Sequence, residues 1–370
     1  MHNAPAPARS HSPSASSAPL RERLLPALLC CLFLSLPLLT ACQSLDNRFG
    51  SRRNPTPPDP RAARNNGRAP AVNINRVETA NAAVVSAQAA EAAGDYEKAL
   101  ADFERAIAHN PRMTVAYLGA GDIHLEQGNF AAAEKHFAKA ADLEPRNFDA
   151  QYRHGLSLQL LSRLEDAVRA YLRALNIKGD DFNANLNLGT AYLQLNEASQ
   201  ALPYAERAVR IDGKNAAARS NLGAIYATLG RHDDAIVEFQ QAAELTQLTG
   251  PLLLNLANSL SKVGRHEEAV NTLEQLARTE PTAPCYERLG VGYFNLRRYD
   301  TALSSFRKSL EIDPNYYPAL NGVGVCLLNQ WMFSGQADRT AHDDGLKALR
   351  RSLQIERDQP AILELVSRYK

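Results

Sequence analysis

Residues 114–147 read TVAYLGAGDIHLEQGNFAAAEKHFAKAADLEPRN. Gly121 lies inside a first apolar-periodic stretch and Gly128 falls at a break. Ala133, Phe137 and Ala140 follow at helical spacing, and Pro145 closes the segment. This predicts two helices joined by a tight turn. A glycine supplies the left-handed conformation that ends a helix, and proline cannot continue one. The same arrangement returns 34 residues on, with Gly155, Ser162, Ala167, Tyr171 and Ala174, and then with Gly189, Asn196, Ala201 and Ala208. It returns again with Gly223, Gly230, Ala235, Phe239 and Ala242. Ala257, Gly264, Ala269, Leu273 and Pro281 come next, then Gly290, Ala302, Phe306 and Pro314 after one residue is dropped near Thr282. Upstream, Gly94, Ala99, Phe103, Ala106 and Pro111 form a first unit with a weaker first helix.

The period and these residues resemble the tetratricopeptide repeat (TPR) family, over about 80% of the chain. The resemblance implies an all-α TPR solenoid, a right-handed superhelix of helix–turn–helix units. Small residues such as Gly189 and Ala201 sit where paired helices cross, and no single unit buries its apolar face alone, so stacking is obligatory. The units run about 80–113, 114–147, 148–181, 182–215, 216–249, 250–282 and 283–316, followed by a divergent unit over 317–359 and a capping helix over 360–370, within a repeat domain of 77–370. In the divergent unit, Val323-Gly324 opens the first helix and Leu346, Leu349 and Leu353 mark the second. About nine extra residues within Trp331–Asp343 are expected to form a loop. Its Trp331, Met332 and Phe333 are either a contact site or a cover folded over the end of the core.

Upstream of the repeats, Arg21 and Arg23 precede an apolar run from Leu24 to Leu39 that ends in Leu39-Thr40-Ala41-Cys42. The run is shorter than the roughly 20 residues of a spanning helix and is interrupted by Pro26 and Pro37. A basic segment, a short apolar core and a small-residue cleavage site make a secretory signal over residues 1–41. With cysteine after the cut, the box resembles that of bacterial lipoproteins. The resemblance implies that Cys42 becomes the N-terminus and carries lipid, palmitate included, and that Gln43, in place of aspartate, directs the protein to the periplasmic face of the outer membrane. Residues 42–76 hold five prolines and no apolar period, which predicts a disordered, extended tether. Its arginines serve solvation of the tether or contact with anionic lipid or cell-wall polymer.

Apolar residues at 45% and charged residues at 22% place the rest among ordinary folded chains. Residues 43–76 carry seven arginines against Asp46 and Asp59, and residues 1–42 three against Glu22, so a net charge of +1 leaves the repeats mildly acidic. A nucleic-acid binder would carry its basic stripe on the folded domain. Of five cysteines, Cys285 and Cys326 alone lie in the repeats. Their register offsets them by about seven helical residues, or about 10 Å of rise, too far for a disulfide. No catalytic motif occurs, and no Cys, His or carboxylate set has a ligand spacing. The expectation is therefore no enzyme, no metal and no cofactor. His232 and His266 recur one repeat apart as a repeated surface position, and Asp233-Asp234 and Glu267-Glu268 suit the positive end of a helix.

The residues singled out for partner binding form a ladder. Asn187, Asn221 and Asn255 occupy one slot of three successive first helices, in Asn-Leu-Gly, Asn-Leu-Gly and Asn-Leu-Ala. Arg153 and Arg288 take the same slot in the flanking units, and Asn258 and Asn183 extend the strip. The three asparagines are expected to face solvent, and the two arginines to favour a partner segment with acidic residues toward its ends. In the TPR family first helices line the concave face, and some arrays use such asparagines to hold an extended peptide, since an amide both donates to and accepts from a peptide bond. The other reading is that asparagine is simply common in this slot. The first helices of 182–260 carry no Lys or Arg besides Arg219, unlike family members that clamp chaperone tails. The expected function is a non-catalytic envelope scaffold that binds envelope proteins through an extended segment. TPR lipoproteins of similar layout act in pilus or secretin, secretion or cell-wall assembly. The alternatives are a module for glycan or cell-wall polymer, although the recurring aromatics Tyr192 and Tyr226 occupy what the resemblance implies is a core slot, and, less in keeping with a chain consumed by repeats, an enzyme or enzyme-associated domain.

Overall fold

The computed structural model describes residues 74–246 and 249–370. The signal, Cys42 and nearly all of the tether lie outside them. Seventeen α-helices make up the described chain, and no strand occurs among the described residues. No helix among them is long and apolar enough to cross a membrane. They divide into two compact units, one ending at Ser259 and the other comprising Leu260–Lys370.

The helix starts keep the sequence period. First helices of 13 residues begin at Thr114, Phe148, Phe182, Ala216, Gly250 and Ala283. Second helices of 14 residues begin at Phe130, Leu164, Ala198, His232, His266 and Tyr299. The first pair is Ile74–Ala92 with Tyr96–His109, so helix begins three residues inside the stretch expected to be tether.

One backbone device makes the turn inside each helix pair. Gly94, Gly128, Gly230 and Gly264 have φ of 75° to 83°. Ser162, Asn196 and Arg297 fill the same slot at φ near 60°. The next residue donates its N–H back to the carbonyl five positions upstream, as Asn129 to His124 at 2.8 Å and Arg231 to Tyr226 at 2.8 Å, which satisfies the last carbonyls of the first helix. First helices are opened in turn by side-chain caps. Asn147, Asp181 and Asn215 accept from Ala150, Ala184 and Ala218 at 3.0–3.1 Å, and Thr282 from Cys285 at 3.4 Å. These caps recur in the last position of the repeat, a signal the sequence carried but that went unread.

Packing explains the small residues. A β-carbon on Gly121, Gly155 or Gly223 would lie 2.4–2.7 Å from the ring of Phe137, Tyr171 or Phe239, so each aromatic closes on the backbone of its partner helix. Gly189 differs. Its unit has Ala205 in the aromatic slot, and an added β-carbon would meet Ala205 at 3.4–3.5 Å, ordinary contact. Within the 74–259 unit the core runs through Ala99 and Phe103, then Ala140 and Ala150, then Ala167, Tyr171, Leu188, Ala201 and Ile225.

In the 260–370 unit the extra residues of the divergent repeat do not make a loop. They lengthen both helices to 17 residues, Tyr317–Phe333 and Arg339–Ile355, and leave a short turn over 334–338. The apolar character of Trp331–Phe333 continues the helix by one turn, and Asp338 caps the next by accepting from Ala341 at 3.0 Å. The helix Pro360–Arg368 then covers the end of this core with Ile362, Leu365 and Val366. Cys285 and Cys326 are buried and free. Burial pushes their thiols up to about 11 and about 12.

Candidate partner-binding face

Neighbouring first helices bring position k of one beside position k − 31 of the one before, one repeat less one turn. The residue types at these two positions decide what the ladder does. Asn221 Nδ2 donates to Thr190 Oγ1, and more weakly to the Leu186 carbonyl at 3.4 Å. Arg153 Nη1 pairs with Asp122 Oδ2 at 2.7 Å. Asn187 has Leu156 at k − 31, so its amide turns to Tyr152 and donates to Oη at 3.1 Å. Asn255 has Ala224 there and stands exposed.

The expectation that all three asparagines face solvent is therefore corrected. Asn187 and Asn221 are half-buried ties between successive first helices, and Asn255 is the open member of the set. Asn221 Oδ1 is buried without a donor. Asn183 is exposed, and Asn258, on the same helix as Asn255, is half-buried.

Arg153 is corrected in the same way. Its charge is committed to Asp122, whose carboxyl burial pushes up to about 6, with Glu91, Glu126 and Asp149 adding to the rise and Arg153 opposing it. The surroundings of Arg153 are acidic, so it does not favour an acidic partner. The roles of Thr190 and Asp122 lie in a 31-residue offset and that of Tyr152 in a 35-residue offset, neither of which is the 34-residue period that the sequence displays.

The remaining candidates lie in the 260–370 unit or outside the described residues. Arg288 is half-buried on the helix Ala283–Asn295. Trp331 is half-buried too, 4.7 Å from the ring of His342 and 5.8 Å edge-on from Tyr369, while Tyr369 Oη approaches Met332 Sδ at 3.7 Å. Trp331 and Met332 thus cover the core end, and Phe333 is left 70% exposed. Cys42 lies outside the described residues. Tyr192 is buried against Tyr204, and Arg231 lies over the ring of Tyr226 at 4.2 Å, so neither offers an open platform for a sugar ring. Among the described residues no group of three potential metal ligands occurs.

Helix pairs of fixed length, stacked through small residues and tied across their first helices, define a protein-interaction repeat scaffold. Residues 90–157, 186–248, 252–284 and 283–316 match tetratricopeptide repeat models, and the chain belongs to the tetratricopeptide repeat family. None of these matches is to a catalytic family. A comparison with curated proteins finds no match. Among solved structures, the Cut9–Hcn1 hetero-tetramer of APC/C aligns with a TM-score of 0.51 at 17% identity, over 78% of this chain and 54% of that one. A tetratricopeptide repeat protein from Parabacteroides merdae aligns with a TM-score of 0.48 at 17% identity, over 68% of this chain and 99% of that one. PilF of Pseudomonas aeruginosa aligns with a TM-score of 0.47 at 19% identity, over 56% and 94%.

Proposed function

We propose that the protein is a lipid-anchored scaffold of the bacterial envelope, held through Cys42 at the periplasmic face of the outer membrane. In this reading it holds an extended segment of an envelope protein against its first helices, in pilus or secretin, secretion or cell-wall assembly. The observation that carries the binding half is the asparagine slot, in which Asn255 presents a free-standing amide beside the half-buried Asn258. An amide donates to and accepts from a peptide bond without demanding a side chain, which suits recognition of extended backbone. The anchoring half rests on Leu39-Thr40-Ala41-Cys42 after its basic and apolar segments.

A pull-down from crosslinked envelopes identifies the partner, which is then titrated against wild type and Asn255→Ala. The expected loss is about 0.5–1.5 kcal/mol, the net value of a hydrogen bond, with folding unchanged. Equal affinities would remove Asn255 from the site. Asn187→Ala and Asn221→Ala are different, since each breaks a tie between helices and costs about 1 kcal/mol of stability. Mass spectrometry of the mature wild type should find lipid on Cys42 and residues 1–41 absent. An unlipidated chain that keeps those residues would refute the anchor.

A further inference from the structure

The lengthened helix Tyr317–Phe333 adds a wall to a cleft beside the turn of the preceding helix pair. First helices of the six regular repeats from Thr114 to Asn295 stop after 13 residues, which here would be Asn329. The extra turn carries Phe333 past the turn of the preceding unit, where its ring lies 5.7 Å from that of Tyr299. Tyr299 is braced edge-on by Phe294 at 5.1 Å. Between these rings and the 297–301 turn lies a cavity of about 360 Å³.

Three features of this cavity select a ligand. Arg297 and Arg298 stand exposed at its edge, and neither guanidinium is engaged by a carboxylate among the described residues. Asp300 on the rim leaves them in excess. The helix Tyr299–Ile312 begins at this rim without a side-chain cap, and its positive end favours negative charge there. Asn329 lines the cavity at 5% exposure, and its amide has no hydrogen-bond partner among the described residues. That amide is not sealed from solvent but opens onto the cavity, where a peptide bond can pair with it in place of water. The other crevice of this kind, beside residues 128–136 in the 74–259 unit, has Gly128 and Asn129 in place of the arginine pair.

We propose that this cleft is a second peptide site, separate from the asparagine slot, which takes an internal segment of a partner protein with an acidic residue next to a large apolar one. The carboxylate sits on Arg297, Arg298 and the helix N-terminus, since guanidinium and uncapped N–H groups both favour it. The apolar side chain enters between Tyr299 and Phe333. A peptide bond of the segment pairs with the Asn329 amide. Phe333 is then left exposed because its cover belongs to another molecule.

The test uses the full chain and an acetylated, amidated peptide Gly-Glu-Phe-Glu-Gly that carries 4-fluorophenylalanine, with binding read from the fluorine linewidth. Wild type should broaden the signal saturably. Replacing both peptide glutamates with glutamine should weaken binding about tenfold or more, as should the double variant Arg297→Gln, Arg298→Gln, the range expected for losing charge-assisted hydrogen bonds. Phe333→Ala should weaken it severalfold, and Val85→Ala, at an exposed side chain of the helix Ile74–Ala92, should leave it unchanged. These side chains are exposed, and the peptide-side substitution is free of any folding effect. Absence of broadening with wild type, or equal affinity for the glutamine peptide, would overturn the proposal. So would a free-acid peptide Gly-Phe-Gly that binds as tightly as the acidic probe, which would assign the cleft to chain termini.

Discussion

Glu287 lies 1% exposed on the helix Ala283–Asn295, with Oε2 lacking a donor. Burial pushes its carboxyl up to about 7 from the ordinary 4.5, and Arg288 pulls the other way without prevailing. The folded chain therefore holds this proton more tightly than the unfolded one. The stability that results is fully present below the ordinary glutamate range and is lost as pH rises through about 7. Glu287→Gln should be more stable than wild type at pH 8 by about 3 kcal/mol, and the difference should shrink toward zero near pH 4. Urea unfolding of both proteins across this range checks it, and a difference independent of pH would show that the carboxyl is not desolvated. None of this is legible in the sequence, where Glu287 is one of 40 acidic residues and takes a slot that holds Leu254 one unit earlier. The ladder residues divide in the same way. Their period marks them out, but whether an amide is free or spent depends on which residues the preceding first helix sets 31 and 35 positions before it.

Four helix pairs close through a glycine on the first helix and a ring on the second, Gly121 on Phe137, Gly155 on Tyr171, Gly223 on Phe239 and Gly290 on Phe306, and the 182–215 pair, with Ala205 in the ring slot, tests the rule. Gly223→Ala would drive a β-carbon to 2.7 Å from the Phe239 ring, whereas Gly189→Ala meets Ala205 at ordinary contact. The first should destabilise by about 1–3 kcal/mol through overpacking. The second should stabilise by up to about 1 kcal/mol, because alanine is the better helix former. Thermal unfolding of the two variants decides it, and destabilisation by both would mean that the 182–215 pair has no such slack. Helix number, length and turn position were readable at this scale because one period repeats the same backbone solution. The glycine turn slot even tolerates Ser162, Asn196 and Arg297, so the period was a better guide than residue identity. The divergent repeat was misread for the converse reason. With no second copy to compare, extra residues in Trp331–Asp343 pointed to a loop, although an apolar run after an apolar helix extends it more cheaply than a loop buries it.

Across the whole molecule, the two compact units share one architecture and differ in what they expose. The 74–259 unit presents the first-helix slots, with Asn255 open and Asn187 and Asn221 committed to the stack. The 260–370 unit presents the cleft under Phe333 and ends in the cap Pro360–Arg368. A scaffold that binds through its first helices should mark its partner from that face alone. The most direct measurement places a photo-crosslinking amino acid at Asn255, or at Val237, which is 50% exposed on the second helix His232–Leu245, and irradiates living cells. Discrete protein adducts are expected from position 255 and none from position 237. Adducts from 237 alone, or of equal yield from both, would contradict it.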